Sequence, residues 1–210
     1  MLNISKVAHR SVSEGPRSNT TFWVTGCKIR CLGCFNKELW DMKNGYSASI
    51  PDILSLVAIG VSQGDTGVAF VGGEPFDQPS LPFVLEAIKE QFPKLKITIY
   101  TGYLFETLLK SRIVFEATVN IDYLIDGPYL EPSLVQEEEY RNLAYKGSPN
   151  QRIIDVQKTI ASHNYRVVLK KWKNMIAMIP GHGLSGPPNI MALFNETLES
   201  ECGKFEPASV

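Results

Sequence analysis

Apolar positions in this chain follow two spacings that take turns. Thr20 to Thr25 (Thr-Thr-Phe-Trp-Val-Thr) is a β-branched and aromatic run that stops at Gly26, which predicts a strand. Three more short apolar runs have the same form. Val68 to Val71 stops at Gly72-Gly73-Glu74-Pro75, Lys96 to Tyr100 at Thr101-Gly102, and Ile121 to Ile125 at Asp126-Gly127-Pro128. Between the runs the spacing becomes helical. Ser49-Ile-Pro-Asp52 reads as a capping box, with Ile53, Leu54, Val57 and Val61 on one face behind it. Leu81, Val84, Leu85, Ile88 and Phe92 outline an amphipathic helix, and Phe105, Leu108 and Leu109 a shorter one.

Strand and helix in strict alternation predict an α/β fold built from parallel βαβ units. Each strand ends in a glycine-bearing loop, and in parallel sheets ligands bind at that edge. Read singly, Thr101-Gly102 and Asp126-Gly127 are plain strand-end turns; their shared position is what brings a site into equal consideration. Past Val156 the pattern weakens. Tyr165 to Leu169 suggests a strand, Ile179 to Pro188 a turn-rich loop and Met191 to Leu198 a short helix.

The 210 residues suffice for one domain with an appendage, and 44% apolar with 20% charged residues is the profile of a soluble globular chain. A net charge of −1 gives no reason to expect a nucleic-acid binder. The N-terminus has no secretory h-region and no apolar run is long enough for a membrane span, so a cytoplasmic protein is expected. Glu137-Glu138-Glu139 reads as a solvated face, and Trp23 and Trp40 as packing residues.

Chemistry concentrates between Gly26 and Asn36, where Cys27, Cys31 and Cys34 stand in the spacing Cys-x3-Cys-x2-Cys; the fourth cysteine, Cys202, stands apart. Three thiolates do not complete a closed zinc site, which takes four protein ligands. His9, His163 and His182 are the candidates for a fourth ligand, and none has ligand-pair spacing. Three thiolates on a short loop do suit three corners of a [4Fe–4S] cluster, leaving one iron open for reaction.

That spacing resembles the signature of radical S-adenosylmethionine (SAM) enzymes, and Gly72-Gly73-Glu74-Pro75 looks like their SAM-contacting motif. Several further segments follow in order: Trp40, Tyr100-Thr-Gly-Tyr103, Leu124-Ile-Asp-Gly127 and Gly147-Ser-Pro-Asn-Gln-Arg152. With the cysteine loop, they resemble the glycyl-radical activase branch, in particular the activating enzymes of anaerobic ribonucleotide reductase. The resemblance spans roughly residues 10 to 155. It implies an incomplete parallel (β/α) barrel over residues 1–155, with 156–210 as a C-terminal extension of unknown role.

By the same resemblance, Cys27, Cys31 and Cys34 ligate the cluster. Gly33, Cys34 and Phe35 lie beside SAM, and Gly72, Gly73 and Glu74 hold its amino group. Thr101, Gly102 and Asp126 line the cavity. The implied reaction is one-electron cleavage of SAM, driven by reduced flavodoxin or ferredoxin, to a 5′-deoxyadenosyl radical that takes hydrogen from a glycine of the partner enzyme. Two departures stand out. Glu14-Gly-Pro-Arg-Ser-Asn19 replaces the family's Asn-Gly-Pro-Gly-x-Arg, putting Arg17 where a glycine is usual, and nothing beyond Asp155 matches. The alternatives are a radical SAM enzyme acting on a small molecule or peptide, and a non-catalytic iron–sulfur or zinc module.

Overall fold

A computed structural model describes residues 1–131, 134, 143–162 and 166–171. Among these, strands β1 (Leu2–Ser11), β2 (Asn19–Val24) and β3 (Tyr46–Ala48) precede helix α1 (Ile50–Ser62). Then come β4 (Gly67–Gly72), α2 (Leu81–Gln91), β5 (Lys96–Tyr100), α3 (Phe105–Leu108), α4 (Arg112–Ala117), β6 (Tyr123–Asp126), β7 (Arg152–Asp155) and α5 (Val156–Ala161). No helix among the described residues is long and apolar enough to cross a membrane.

The strands form one sheet in the order β3-β1-β2-β4-β5-β6-β7. Its centre is the expected parallel set, with β2 beside β4, β4 beside β5 and β5 beside β6. The flanks differ from the expectation of an all-parallel sheet. On one side β1 runs antiparallel to both β2 and β3, and on the other β7 runs antiparallel to β6. The fold is therefore a mixed α/β sheet. Strand β1 escapes a sequence reading because it is bulged: its register against β2 shifts between Ile4 and Lys6 and again between Ala8 and Ser11. A bulge moves the alternation by one residue. Leu2 and Ile4 face the core before it and Val7 packs on the core after it, so no period-2 pattern survives.

One face of the sheet carries the main core. Phe22, Val68, Phe70, Ile97, Ile99, Leu124 and Ile154 pack there with Ile53 and Val57 of α1 and with Leu81, Val84, Leu85 and Ile88 of α2. The Phe22 and Phe70 rings stack at 5.3 Å. The capping box of α1 forms as expected, Ser49 N donating to Asp52 Oδ2 at 2.8 Å and Asp52 N to Ser49 Oγ at 3.3 Å. On that helix the buried turn is completed by Gly60, and Val61 is exposed. A Cβ at Gly60 would collide with the Thr20 hydroxyl, so only glycine lets the helix approach β2 so closely. Helix α4, between Leu109 and β6, was not foreseen.

Past β7 the chain keeps adding to the same core, since Val156 and Thr159 of α5 are fully buried. Residues 166–170 lie against β7: Asp155 N donates to Val168 O at 2.9 Å, and Lys170 N to Ile153 O at 2.7 Å. Among the described residues, the strand anticipated at Tyr165 to Leu169 is reduced to an isolated antiparallel bridge between Ile154 and Leu169. Glu137–Glu139, His163, Tyr165, Ile179–Pro188, Met191–Leu198 and Cys202 lie outside the described residues.

Candidate active site

Because β2, β4, β5 and β6 are parallel, the loops that follow them share one edge of the sheet. The cysteine loop leaves β2 there, Gly72–Pro75 leaves β4, Thr101-Gly102 leaves β5 and Gly127 leaves β6. The first two loops lie backbone on backbone. Gly73 N donates to Val24 O and Glu74 N to Gly26 O, both at 2.8 Å. The two glycines make this possible. Gly72 has φ +105°, and a Cβ on Gly73 would stand 2.5 Å from Gly26 O. The cysteine loop is held from its other side by Gly26 N on Leu39 O (2.8 Å) and Cys27 N on Trp40 O (3.1 Å).

Two carboxylates tie the rim together. Glu74 is 1% exposed. Its Oε1 accepts from Phe76 N at 3.0 Å and from the Thr101 hydroxyl at 2.8 Å; its Oε2 accepts from Gly102 N at 2.8 Å. Burial pushes its pKa up to about 7, against the pull of those hydrogen bonds. Asp77 works in parallel. It accepts from the backbone N–H of Lys28 in the cysteine loop (2.8 Å) and from the hydroxyl of Tyr103 (3.0 Å). Tyr103 is pushed up to about 12, by burial first and then by its bond to Asp77. Glu74 and Asp77 thus fasten the loops after β2, β4 and β5 to one another. The Glu74 carboxylate meets three protein donors, and the backbone of Gly72 and Gly73 lies beside it on the same rim.

Cys27, Cys31 and Cys34 are free, half-buried thiols. Burial raises the pKa of Cys27 and Cys31, opposed by backbone N–H groups of Arg30 and Ile29 on Cys27 and of Tyr129 on Cys31. Such N–H donors favour thiolate sulfur and tune iron–sulfur centres. Among the described residues no three His, Cys, Asp or Glu side chains are gathered around a point that would suit a single metal ion. The donor set fits a cluster: three thiols on one loop with amides aimed at two of them. Beside Cys27, an open cavity of about 470 Å³ is lined by Lys28, Arg30, Trp40, Met42 and Asp77.

Gly33 has φ +72° and lies under the Glu131 side chain, where a Cβ would meet Cγ at 2.7 Å. Phe35 is 66% exposed and meets Tyr129 edge-on at 4.7 Å. Asp126, expected to line the cavity, is engaged with protein groups. It is fully buried, takes the N–H of Phe105 (2.8 Å) and is bidentate with Arg152, through Nε at 2.9 Å and through Nη2. Arg152 continues to both oxygens of Glu106, at 2.9 and 2.8 Å. Next to it, Gln151 donates to Gly127 O (2.9 Å) and Asn150 to Pro128 O (2.7 Å). The segment Gly147–Arg152 is therefore a clamp on the loop after β6. Asp77, Tyr103 and Arg152 are rim residues that a sequence reading did not assign. Tyr103 and Arg152 sit inside motifs noted in the sequence, Asp77 two residues past one, and their partners lie 26 or more residues away.

Comparison with known proteins adds to this picture. The family of 4Fe-4S single cluster domains matches residues 13–154. An anaerobic ribonucleoside-triphosphate reductase-activating protein of Haemophilus influenzae is 30% identical over 151 residues, 68% of this chain and 90% of the relative. One from Enterobacteria phage T4 is 27% identical over 155 residues, 72% of this chain and 93% of its own length. Among solved structures, QueE from Escherichia coli aligns with 48% of this chain and 52% of its own, at 20% identity and a TM-score of 0.41, too loosely to argue from.

Proposed function

Since the chain belongs to the 4Fe-4S single cluster domain family and to the activating proteins of anaerobic ribonucleoside-triphosphate reductase, we propose that it is a radical SAM enzyme that installs a glycyl radical on such a reductase. Cys27, Cys31 and Cys34 would hold a [4Fe–4S] cluster, and the backbone of Gly33, Phe35, Gly72, Gly73 and Gly102 would receive SAM. Bound together, the two groups would supply a 5′-deoxyadenosyl radical able to take hydrogen from a glycine Cα.

The chain's own part is positioning. The observation that carries the reading is the pair of ties at Glu74 and Asp77, which set the cysteine loop, the glycine motif and the Thr101–Tyr103 loop as one unit on the ligand-binding edge. Thr101 and Glu74 keep the glycine backbone at a fixed approach to the thiols, and Asp126 with Arg152 anchors the base of the fourth loop, whose Tyr129 N–H reaches Cys31. We propose too that the sheet curls into an incomplete barrel, and that flavodoxin or ferredoxin supplies the electron. The test is anaerobic incubation of the reconstituted protein with SAM and a strong reductant, with and without the reductase. Release of 5′-deoxyadenosine and a glycyl EPR doublet on the reductase are expected. Loaded, folded protein that yields no deoxyadenosine would sink the proposal.

A further inference from the structure

The face of the sheet opposite the main core carries a polar row. Backbone pairing places Thr21, Ala69, Thr98 and Tyr123 side by side across β2, β4, β5 and β6. The chain before β2 folds over this row. Arg17 lays its stem over Gly67, where a Cβ would meet Arg17 Cδ at 2.7 Å. Its guanidinium ends 5.0 Å from the centre of the Tyr123 ring. Arg17 is half-buried, and its Nη1 is fully buried without a hydrogen-bond partner; no described residue forms an ion pair with it. Thr98, next to Tyr123 in the row, is fully buried, and its hydroxyl is without a partner as well.

A buried guanidinium nitrogen without an acceptor is costly, and a ring face repays only part of that cost. The nearby acid does not supply the missing charge. The carboxylate of Glu14 is taken up by the hydroxyls of Ser11 (2.6 Å) and Thr21 (2.8 Å), and its Coulombic partner is Lys6. A third unpartnered atom, Asn19 Oδ1, is an acceptor set over Gly67 beside the arginine stem. The fork stands over Tyr123, the cross-strand neighbour of Thr98, and a guanidinium with a second donor on the same face suits a carboxylate or phosphate.

We propose that Arg17 and Thr98 form an oxyanion site, for a carboxylate or phosphate, on the second face of the sheet. Thr98 lies three residues before Thr101, so at a rise of about 3.3 Å per residue the site is roughly 10 Å below the rim. An extended segment presenting a glycine at the rim would bring an acidic group to Arg17 from about three residues away. A free anion would fill the same site. Only the first source rests on the activity proposed above.

The experiment compares full-length wild type with Arg17→Gln, and with Arg17→Met should the glutamine variant not fold. Melting is followed with acetate or inorganic phosphate added, and reductase activation is measured as KM for the reductase beside the uncoupled rate of SAM cleavage. For a free-anion site, the wild-type Tm rises by about 3 °C at roughly ten times Kd while the variant does not move. For an acid on the partner, added anions do nothing, but KM rises at least about tenfold in the variant with uncoupled cleavage unchanged. If neither Tm nor KM separates the proteins, Arg17 holds only water and the site does not exist. Because melting needs no turnover, absence of SAM cleavage in wild type would count against the proposed activity and leave the anion result readable.

Discussion

A carboxylate buried as deeply as that of Glu74 is held by three donors and still titrates near neutrality, because burial outweighs them. Its folded pKa, about 7, lies above the ordinary 4.5, so the native state binds the proton more tightly than the unfolded chain does. The stability this contributes is complete below pH 4.5 and is lost as pH rises through 7, a swing of about 3 kcal/mol. Glu74→Gln removes the titration but points an amide NH2 at one of the N–H donors of Phe76 or Gly102. A loss of about 1–3 kcal/mol at pH 5 is expected, with a flatter stability profile between pH 5 and 8, read by urea denaturation. An equally steep profile in the variant would assign the slope to another group.

At the scale of elements, the four parallel strands and the two longer helices were legible because each is a run of one period bounded by glycine or a cap. The flanking antiparallel strands were not: β1 is bulged, and β7 is four residues whose partners in β6 lie 26 to 32 positions away. The site divides the same way. The loop carrying the thiols and the shared edge could be read from residue type and strand order. The ties at Glu74, Asp77 and Asp126 could not, since pairing between side chains of different loops leaves no local pattern. The backbone contact between Gly73 and Gly26 gives a test of how loop position governs loading. Gly73→Ala pushes the two loops apart at a cost of about 1–3 kcal/mol. Reconstituted iron per chain is expected to fall with far-UV circular dichroism unchanged; full iron content would show that the thiols tolerate the shift.

For the whole molecule, the question is where the core stops. Val156, Thr159 and the backbone at Val168 and Lys170 all join it, so a truncation must keep at least the residues through Lys171. Deleting 172–210, which lies beyond the segment that matches the family, is expected to leave uncoupled SAM cleavage within about twofold while altering the KM for the reductase. Loss of uncoupled cleavage in a folded truncation would give those residues a part in the chemistry. The clamp after β6 has a consequence of its own. The segment that starts at Pro128 and ends at Asn150 has its two ends joined, since the side-chain amide of Asn150 donates to the carbonyl of Pro128. With the two ends of that excursion fixed to each other, doubling its length costs only about 0.6 kcal/mol of closure entropy. Insertions between residues 131 and 143 are therefore a cheap way for this scaffold to acquire new surface while keeping the contacts of Tyr129 and Glu131 with the cysteine loop.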